Sequence, residues 1–215
     1  MSNSNIEDLS DAGIARALAP FGVQPDAASC AAIRAYTEML LRWNEKISLT
    51  SIRRPEEILQ RHFGESMFAA RTVPIVRGRL VDVGSGAGFP GLAMKLVSPE
   101  LEVTLIESSV KKSAFLAEVV RALGLSGVKI ISKRIEELDE FRAVADFVTC
   151  RAVKADKDLL EWARRALYGD GLCALWVGAE DAEDLGMQPG WQWREPISIP
   201  LSDRRVILVR QPIGK

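Results

Sequence analysis

Between Leu80 and Gly91 the chain reads LVDVGSGAGFPG, with four glycines in the eight residues from Gly84 to Gly91 and one acid, Asp82, in the apolar run before them. Gly86, Gly88 and Gly91 match G-x-G-x-x-G, a spacing that brings bare backbone close to a nucleotide and, in dinucleotide enzymes, seats a pyrophosphate on a helix N-terminus. Two neighbours argue against phosphate. Asp82 would meet it with like charge, and Pro90 lacks the N–H that such a helix start would offer. A cationic nucleoside reverses the argument. S-adenosylmethionine carries a sulfonium and an ammonium and no phosphate, so glycine backbone and a nearby acid both suit it. Glu107, about twenty residues further on, ends the next strand, where a carboxylate can accept both ribose hydroxyls. The alternatives are that Asp82 caps the loop's own N–H groups, that Glu107 is a surface acid, and that the loop serves an NAD oxidoreductase.

These residues need a sheet to carry them. From about Asn5 to Ala70 the pattern is helical. Ile33, Tyr36, Met39, Leu40, Trp43 and Ile47 fall three or four apart, and Pro55 opens a second run whose apolar face is Ile58, Leu59, Phe63 and Phe68. From Arg79 strands alternate with helices: GRLVDVG, then a helix stopped by Pro99; LEVTLIE, then a helix ended by Gly124; VKIISK and the short RIEELDEF; ADFVTCRAV, then a helix ended by Gly169; and GLCALWVG. WQWREPISIP and RRVILVRQ read as a closing pair of strands, with Trp191 and Trp193 on one face and covering a helix. Alternation of this kind predicts an α/β, Rossmann-like fold: a mostly parallel sheet with helices on both faces, closed by antiparallel strands at one edge. The expected division is a helical cap over 1–72 and a cofactor-binding core over 73–215.

The combination of EMLLRWNEKISLTSIRRPEEILQRHFGES, DVGSGAGFPG, KRIEEL and CRAV resembles the bacterial small-subunit ribosomal RNA guanine-N7 methyltransferases, also called the glucose-inhibited division protein B family. The resemblance runs from about Tyr36 to the C-terminus, and its helical stretch is more specific than its glycine loop. It implies a methyltransferase core with a helical cap, S-adenosylmethionine as cofactor, and methyl transfer to N7 of a guanine in 16S ribosomal RNA, free or in the small-subunit particle. Carried over by position, Asp82, Gly84, Gly86, Gly88 and Phe89 belong to the cofactor loop, Gly84 and Phe89 lining the methionine and adenosine ends. Glu107 binds the ribose, Ile135 and Glu136 contact the adenine, and Arg151 stands at the mouth of the site. Lys111 matches a basic residue of the family. Three positions depart from the family: Ser48 replaces an asparagine, Val177 a lysine, and Arg205 a frequent histidine. They bear on the substrate rather than on the cofactor loop.

The fourth strand presents the catalytic group in this fold, and here it ends Thr149-Cys150-Arg151-Ala152. That is neither the Asn/Asp-Pro-Pro-aromatic motif of amino-group methylases nor the proline-preceded cysteine of C5 methylases, and Cys150 reads as a buried thiol. Guanine N7 offers a lone pair and no proton, so alignment rather than a base supplies most of its rate. Arg151 is the candidate catalytic residue, since guanine O6 and N7 accept a bidentate arginine; the alternative is an ion pair with Glu136 or Asp82. His62, the only histidine, reads as a core or capping residue, and Trp43 as packing for the cap.

Twenty-eight basic against 29 acidic residues give no overall field, so any RNA surface is local. Arg53, Arg54, Arg61, Lys111 and Lys112 are its candidates, within a wider rim of Arg71, Arg77, Arg79, Lys133, Arg134, Lys154 and Lys157. The alternative is a solvated mixed surface. Three cysteines without CxxC spacing argue for reduced thiols and no metal. No signal-like or membrane-spanning stretch is present, and a cytoplasmic monomer is the expectation. A methyltransferase with another substrate and a non-catalytic, cofactor-sensing RNA-binding protein are the competing functions.

Overall fold

The computed structural model describes residues 9–73, 75–151, 156–186 and 190–213. The cap begins with α1 (Asp11–Leu18) and α2 (Ala27–Asn44), whose N-terminal N–H groups are capped by the side chains of Ser10 and Asp26. A third helical run starts with Pro55 in its first turn: α3 (Pro55–Ile58), a π-helical stretch (Leu59–Gly64) and α4 (Glu65–Thr72). Then come β1 (Arg77–Val83), α5 (Gly91–Val97), β2 (Glu100–Ile106), α6 (Val110–Ala122), β3 (Val128–Ile131), a 3-10 turn (Ile135–Glu137), β4 (Ala145–Arg151), α7 (Lys157–Ala166), β5 (Leu167–Gly178), α8 (Ala179–Gly186), β6 (Trp191–Trp193), β7 (Ile197–Ser198) and β8 (Arg205–Pro212).

The sheet order is β3-β2-β1-β4-β5-β8-β6, with β7 also on β8. β1 to β5 are parallel, and β8 runs antiparallel to β5, β6 and β7. The closing strands are therefore not a simple hairpin, because β8 inserts between β5 and β6. Two other departures have local causes. The helix expected to reach Gly169 stops at Ala166, because Leu167 already pairs with Ala145 and a register shift then separates it from the Phe147–Leu172 pair. The acidic stretch Ala179–Gly186, which lacks a strong apolar pattern, is helical and packs through Ala182 and Leu185.

Strand parity decides what each face carries. Leu80 on β1, Leu172, Ala174 and Trp176 on β5, and Ile207 and Val209 on β8 bury against the cap together with α5 and α6. Val81, Val83, Val148, Cys150, Cys173, Leu175 and Leu208 bury against α7 and α8 on the other face, where Trp191 also packs. The expected boundary at 72/73 falls between α4 and β1, yet buried residues on both sides of it, Ile33, Tyr36 and Phe63 with Leu80, Leu92 and Leu105, form one apolar cluster. Each such side chain contributes about 1.5–3 kcal/mol on burial. The cap is thus a layer of the core on one face of the sheet, and through Tyr36, His62 and Glu65 it reaches the C-terminal ends of β1 and β4.

Candidate functional site

A cleft of about 600 Å³ opens there, within the range of small-molecule sites, about 300–1,000 Å³. Gly84, Ser85, Gly86, Ala87, Phe89, Glu107 and Ser108 line one wall. Thr50, Arg61, His62, Arg151, Trp176, Val177 and Arg205 line the other, with Lys112 at the edge.

The first wall is a hydrogen-bonded backbone. The N–H groups of Gly84 and Ser85 donate to Ile106 O at 2.9 and 3.1 Å. Glu107, buried just past β2, accepts from Gly86 N at 2.9 Å and Ser109 N at 2.8 Å. It is not a loose surface acid, and each oxygen keeps a lone pair for another donor. Gly84 has φ +66° and Gly86 φ +55°, and a Cβ on Gly86 would meet nothing closer than Gly84 O at 3.8 Å. Glycine there keeps the cleft open.

Gly88 has another purpose. A Cβ on it would lie 2.2 Å from Tyr36 Oη, and Tyr36 donates to Ala87 O at 2.6 Å. Phe89 is stacked between Tyr36, 5.2 Å away, and His62, 4.7 Å away, with Phe63 edge-on. Gly88 therefore admits the cap helix and does not line the cleft. Asp82 is also withdrawn from it. The carboxylate is fully buried, accepts from Thr149 Oγ1 at 2.7 Å across the β1–β4 pair and from Gly91 N at 3.2 Å, and is pushed up to about 6 by burial. It caps the helix that leaves the loop, and its role is to shape the cradle.

On the second wall, parity puts Arg151, two residues after Thr149, on the cap face. Its ion-pair partner is neither Glu136 nor Asp82 but Glu65 of α4: Oε2 is 3.4 Å from Arg151 Nη2, and Oε1 accepts from Arg205 Nη2 at 2.6 Å. Glu65 is 2% exposed, against 12% for Arg151 and 31% for Arg205. Burial lowers Arg151 to about 10, with Glu65 opposing. His62 faces the cleft rather than the core. Its Nε2 meets Thr50 Oγ1 at 3.0 Å, and burial together with the Arg151, Arg61 and Arg205 cations pushes it down to about 3. Thr50 is held by Asn44, which accepts from Leu49 N and Thr50 N and donates to Thr50 O. Exposed Ser48 thus leaves that turn intact. Glu65 was missed by sequence reasoning; the signal was an acid among arginines on the helix that also carries His62.

The other predicted residues scatter. Half-buried Ile135 packs on the layer opposite the cap, Glu136 is exposed, and neither lines the cleft, because the 3-10 turn sits over that layer. Arg61 pairs with Glu57 at 2.9 Å. Arg53 is exposed and donates to Asn44 O, and Arg54 is exposed near Glu56, at 3.5 Å. Lys111 turns into a separate groove with Arg42, Trp43 and Lys46, where Trp43 donates to Glu118 and packs edge-on to Phe115. Arg77 and Arg79 begin β1, about 20 Å of strand from its glycine end, and Arg71 lines a different hollow beside Val97. Lys111, Arg71, Arg77 and Arg79 thus lie apart from the cleft and share no single rim with Arg61 and Lys112. Lys154 lies outside the described residues. Cys150 is buried on the face away from the cleft. Among the described residues no cluster of three or more His, Cys, Asp or Glu could hold a metal, and no helix is long and apolar enough to cross a membrane.

A family model described as rRNA small subunit methyltransferase G matches residues 29–189. The chain is 37% identical over 182 residues to the ribosomal RNA small subunit methyltransferase G of Xylella fastidiosa strain 9a5c, covering 82% of this chain and 84% of that protein. It is 34% identical over 206 residues to the protein of the same name from Stenotrophomonas maltophilia strain K279a, covering 94% and 95%. In fold it is similar to a SAM-dependent methyltransferase from Aquifex aeolicus, with a TM-score of 0.58, 16% identity, and coverage of 69% of this chain and 92% of that one.

Proposed function

The chain belongs to the rRNA small subunit methyltransferase G family, and from that premise we propose that it methylates N7 of a guanine in 16S ribosomal RNA of the small subunit, using S-adenosylmethionine. The observation that carries the reading is the meeting of two walls in one cleft, a glycine cradle with a carboxylate at its edge and a set of cations. The cradle fits the cofactor. Gly84 and Gly86 give its chain close passage, Phe89 braces the loop between Tyr36 and His62 and shows the cleft only its edge, and the open lone pairs of Glu107 suit ribose hydroxyls. S-adenosylmethionine supplies the methyl group from a sulfonium, whose C–S electron pair stays on sulfur as the N7 lone pair forms the new bond.

The protein's task is then to hold the base. Arg151 Nη1 has no hydrogen-bond partner among the described residues. A donor on N7 would occupy the lone pair that must attack, so Arg151 serves best at O6, orienting the ring while N7 stays free. His62, neutral down to about pH 3, is an aromatic surface and hydrogen-bonding partner rather than a proton acceptor at neutral pH, which suits a reaction that removes no proton. Arg61 and Lys112 line the cleft and are placed for phosphates beside the target, with Arg53 and Arg54 further out. Val177, where the resemblance expects lysine, leaves part of the cleft apolar; a different target nucleotide is the second reading.

One experiment separates these. N7-methylguanine is mapped in ribosomal RNA from cells with and without the gene, then restored in vitro with purified protein on small subunits and on free 16S RNA. Loss and restoration at a single guanine is expected. An unchanged small-subunit map, with methyl transfer to another RNA, would establish the second reading.

A further inference from the structure

We propose that Glu65 is a positioning residue of the methyl-transfer site: its buried carboxylate grips Arg151 and Arg205 together and fixes the Arg151 guanidinium so that Nη1 faces the acceptor on the target base. The inference rests on the reading of the cleft as a guanine methyltransferase site.

Glu65 does not line the cleft, and nothing in its own helix calls for a carboxylate. Gly64 before it is already helical, so the run continues through this point, and Glu65 is not an N-cap. A carboxylate that is 2% exposed is costly unless cations meet it, and here each oxygen faces one: Oε1 accepts a hydrogen bond from Arg205 Nη2 at 2.6 Å, and Oε2 pairs with Arg151 Nη2 at 3.4 Å by charge alone, without a hydrogen bond. The two arginines come from β4 and β8, which are separated in the sheet by β5. The carboxylate is therefore the joint that draws them to one place under the cap. The π-helical stretch Leu59–Gly64 immediately precedes it and carries Arg61 and His62 into the same cleft; such wide turns recur at functional sites.

The remaining donors point to a ligand. Arg151 Nη1, Arg205 Nε, Arg61 Nε, His62 Nδ1 and Trp176 Nε1 are buried without hydrogen-bond partners among the described residues, and all five residues line the cleft. Buried donors are ordinarily satisfied, so a cluster of five beside a cavity marks where acceptors belong. Charge adds a second reason. Methylation at N7 leaves the purine cationic, beside Arg61, Arg151 and Arg205. Glu65 is the anion that offsets them, and without it the developing charge would meet three arginines.

Glu65→Gln keeps the size and one acceptor and removes the charge. Single-turnover methylation of small subunits at saturating cofactor is expected to slow about tenfold to a hundredfold, while cofactor and RNA dissociation constants move less than about threefold. Rate against pH supplies a readout that a purely structural role would not move. Arg151 faces Glu65, Arg61 and His62 from the helical run, Asp82 from β1 and Arg205 from β8. With Glu65 neutral, burial and the cations act unopposed, so the alkaline limb of the Glu65→Gln profile is expected to move to lower pH. Glu65→Asp, which keeps the charge on a shorter arm, should lose rate but keep the wild-type alkaline limb, and it serves as the test should Glu65→Gln not fold. Combining Glu65→Gln with Arg151→Gln should be no slower than Arg151→Gln alone, since both act through one contact. Wild-type rate and alkaline limb in Glu65→Gln, or additive losses in the double variant, would overturn the proposal while leaving the enzyme's function standing. A wild type that methylates no small-subunit RNA would overturn both.

Discussion

The two walls of the cleft are built by opposite means. On the glycine wall a short stretch of neighbouring chain, Gly84 to Phe89, folds on itself, and the N–H groups of Gly84, Ser85, Gly86, Gly88 and Phe89 are taken up by Ile106 O, Ser85 O and the Glu107 carboxylate. On the arginine wall, Thr50, Arg61, His62, Arg151 and Arg205 come from four separate segments, and four of their side-chain nitrogens have no hydrogen-bond partner among the described residues. A satisfied, local wall suits a ligand that is the same in every turnover. A wall of cations with open donors suits an anionic polymer that arrives, is oriented and leaves. The difference teaches where to look for each function: cofactor binding depends on backbone conformation, substrate handling on side-chain pairing.

The comparison breaks most readily at Gly84. A β-branched side chain at φ +66° is strained and would stand in the cleft. Gly84→Val should weaken S-adenosylmethionine binding by more than about a hundredfold, a loss of about 2.7 kcal/mol or more, while RNA affinity and the fold persist. Calorimetry with the cofactor and its demethylated product checks this. Normal binding would move the cofactor off the glycine wall, and tight NAD binding in the wild type would reverse the choice of ligand.

Arg151 probes the other wall. Arg151→Ala should slow single-turnover methylation about tenfold to a hundredfold, because it removes a charged hydrogen bond made chiefly as the base aligns. RNA affinity should change by less than about threefold. Equal losses in rate and affinity would show that Arg151 is a docking contact, and the two walls would differ less than their construction suggests.

The walls also differed in how far the sequence disclosed them. The glycine loop, the acid after β2 and the alternation of strands and helices are local patterns, and each stood where expected. Strand parity placed Arg151 beside Thr149 and away from Cys150, but not its partner, because Glu65 lies 86 positions earlier in the chain and no short-range pattern links them. Asp82 and Gly88 were expected to meet the cofactor, and neither lines the cleft. Their partners, Thr149 and Tyr36, become neighbours only through the sheet register and the seating of the cap. The basic rim failed for a related reason: Arg77 and Arg79 are close in sequence to the loop but begin the strand that the loop ends.

A smaller effect sharpens the comparison through acidity. Asp82, beneath the glycine wall, is raised from 3.8 to about 6, and His62, on the arginine wall, is lowered from 6.5 to about 3. The signs oppose. Asp82 keeps in the native state a proton that the unfolded chain has released, so its contribution to stability is present below about pH 4 and lost as pH rises through 6. His62 stays unprotonated in the native state where the unfolded chain takes up a proton, so its contribution is present above pH 6.5 and lost on acidification. Each titration is worth about 1 kcal/mol per pH unit between pH 4 and 6, and in the wild type they largely cancel. Urea unfolding at several pH values should show Asp82→Asn losing stability more steeply on acidification than wild type, and His62→Gln less steeply. Parallel slopes for all three proteins would mean that neither group is held in its unusual state.

The smallest expected effect lies outside the cleft, at Arg53 and Arg54. Both are exposed; Arg54 pairs loosely with Glu56 at 3.5 Å, and Arg53 leans on Asn44 O. An exposed pair of this kind holds its arginine weakly, so both guanidinium groups are available to phosphates at the end of the turn that carries Thr50 toward the cleft. Replacing both with glutamine should reduce RNA affinity by a few-fold near physiological salt. The slope of log affinity against log salt should flatten by roughly one to two, because each lost phosphate contact releases one counterion fewer. The single-turnover rate at saturating RNA should stay at the wild-type value, since neither side chain lines the cleft. Titration of small subunits at two salt concentrations, with the rate followed in the same samples, measures both quantities. An unchanged salt slope would remove these arginines from the RNA surface and leave Arg61 and Lys112, inside the cleft, to carry the phosphate contacts. A lowered saturating rate would show instead that the Asn44–Thr50 turn transmits its position to His62, and that the arginine wall extends further from the target base than its lining.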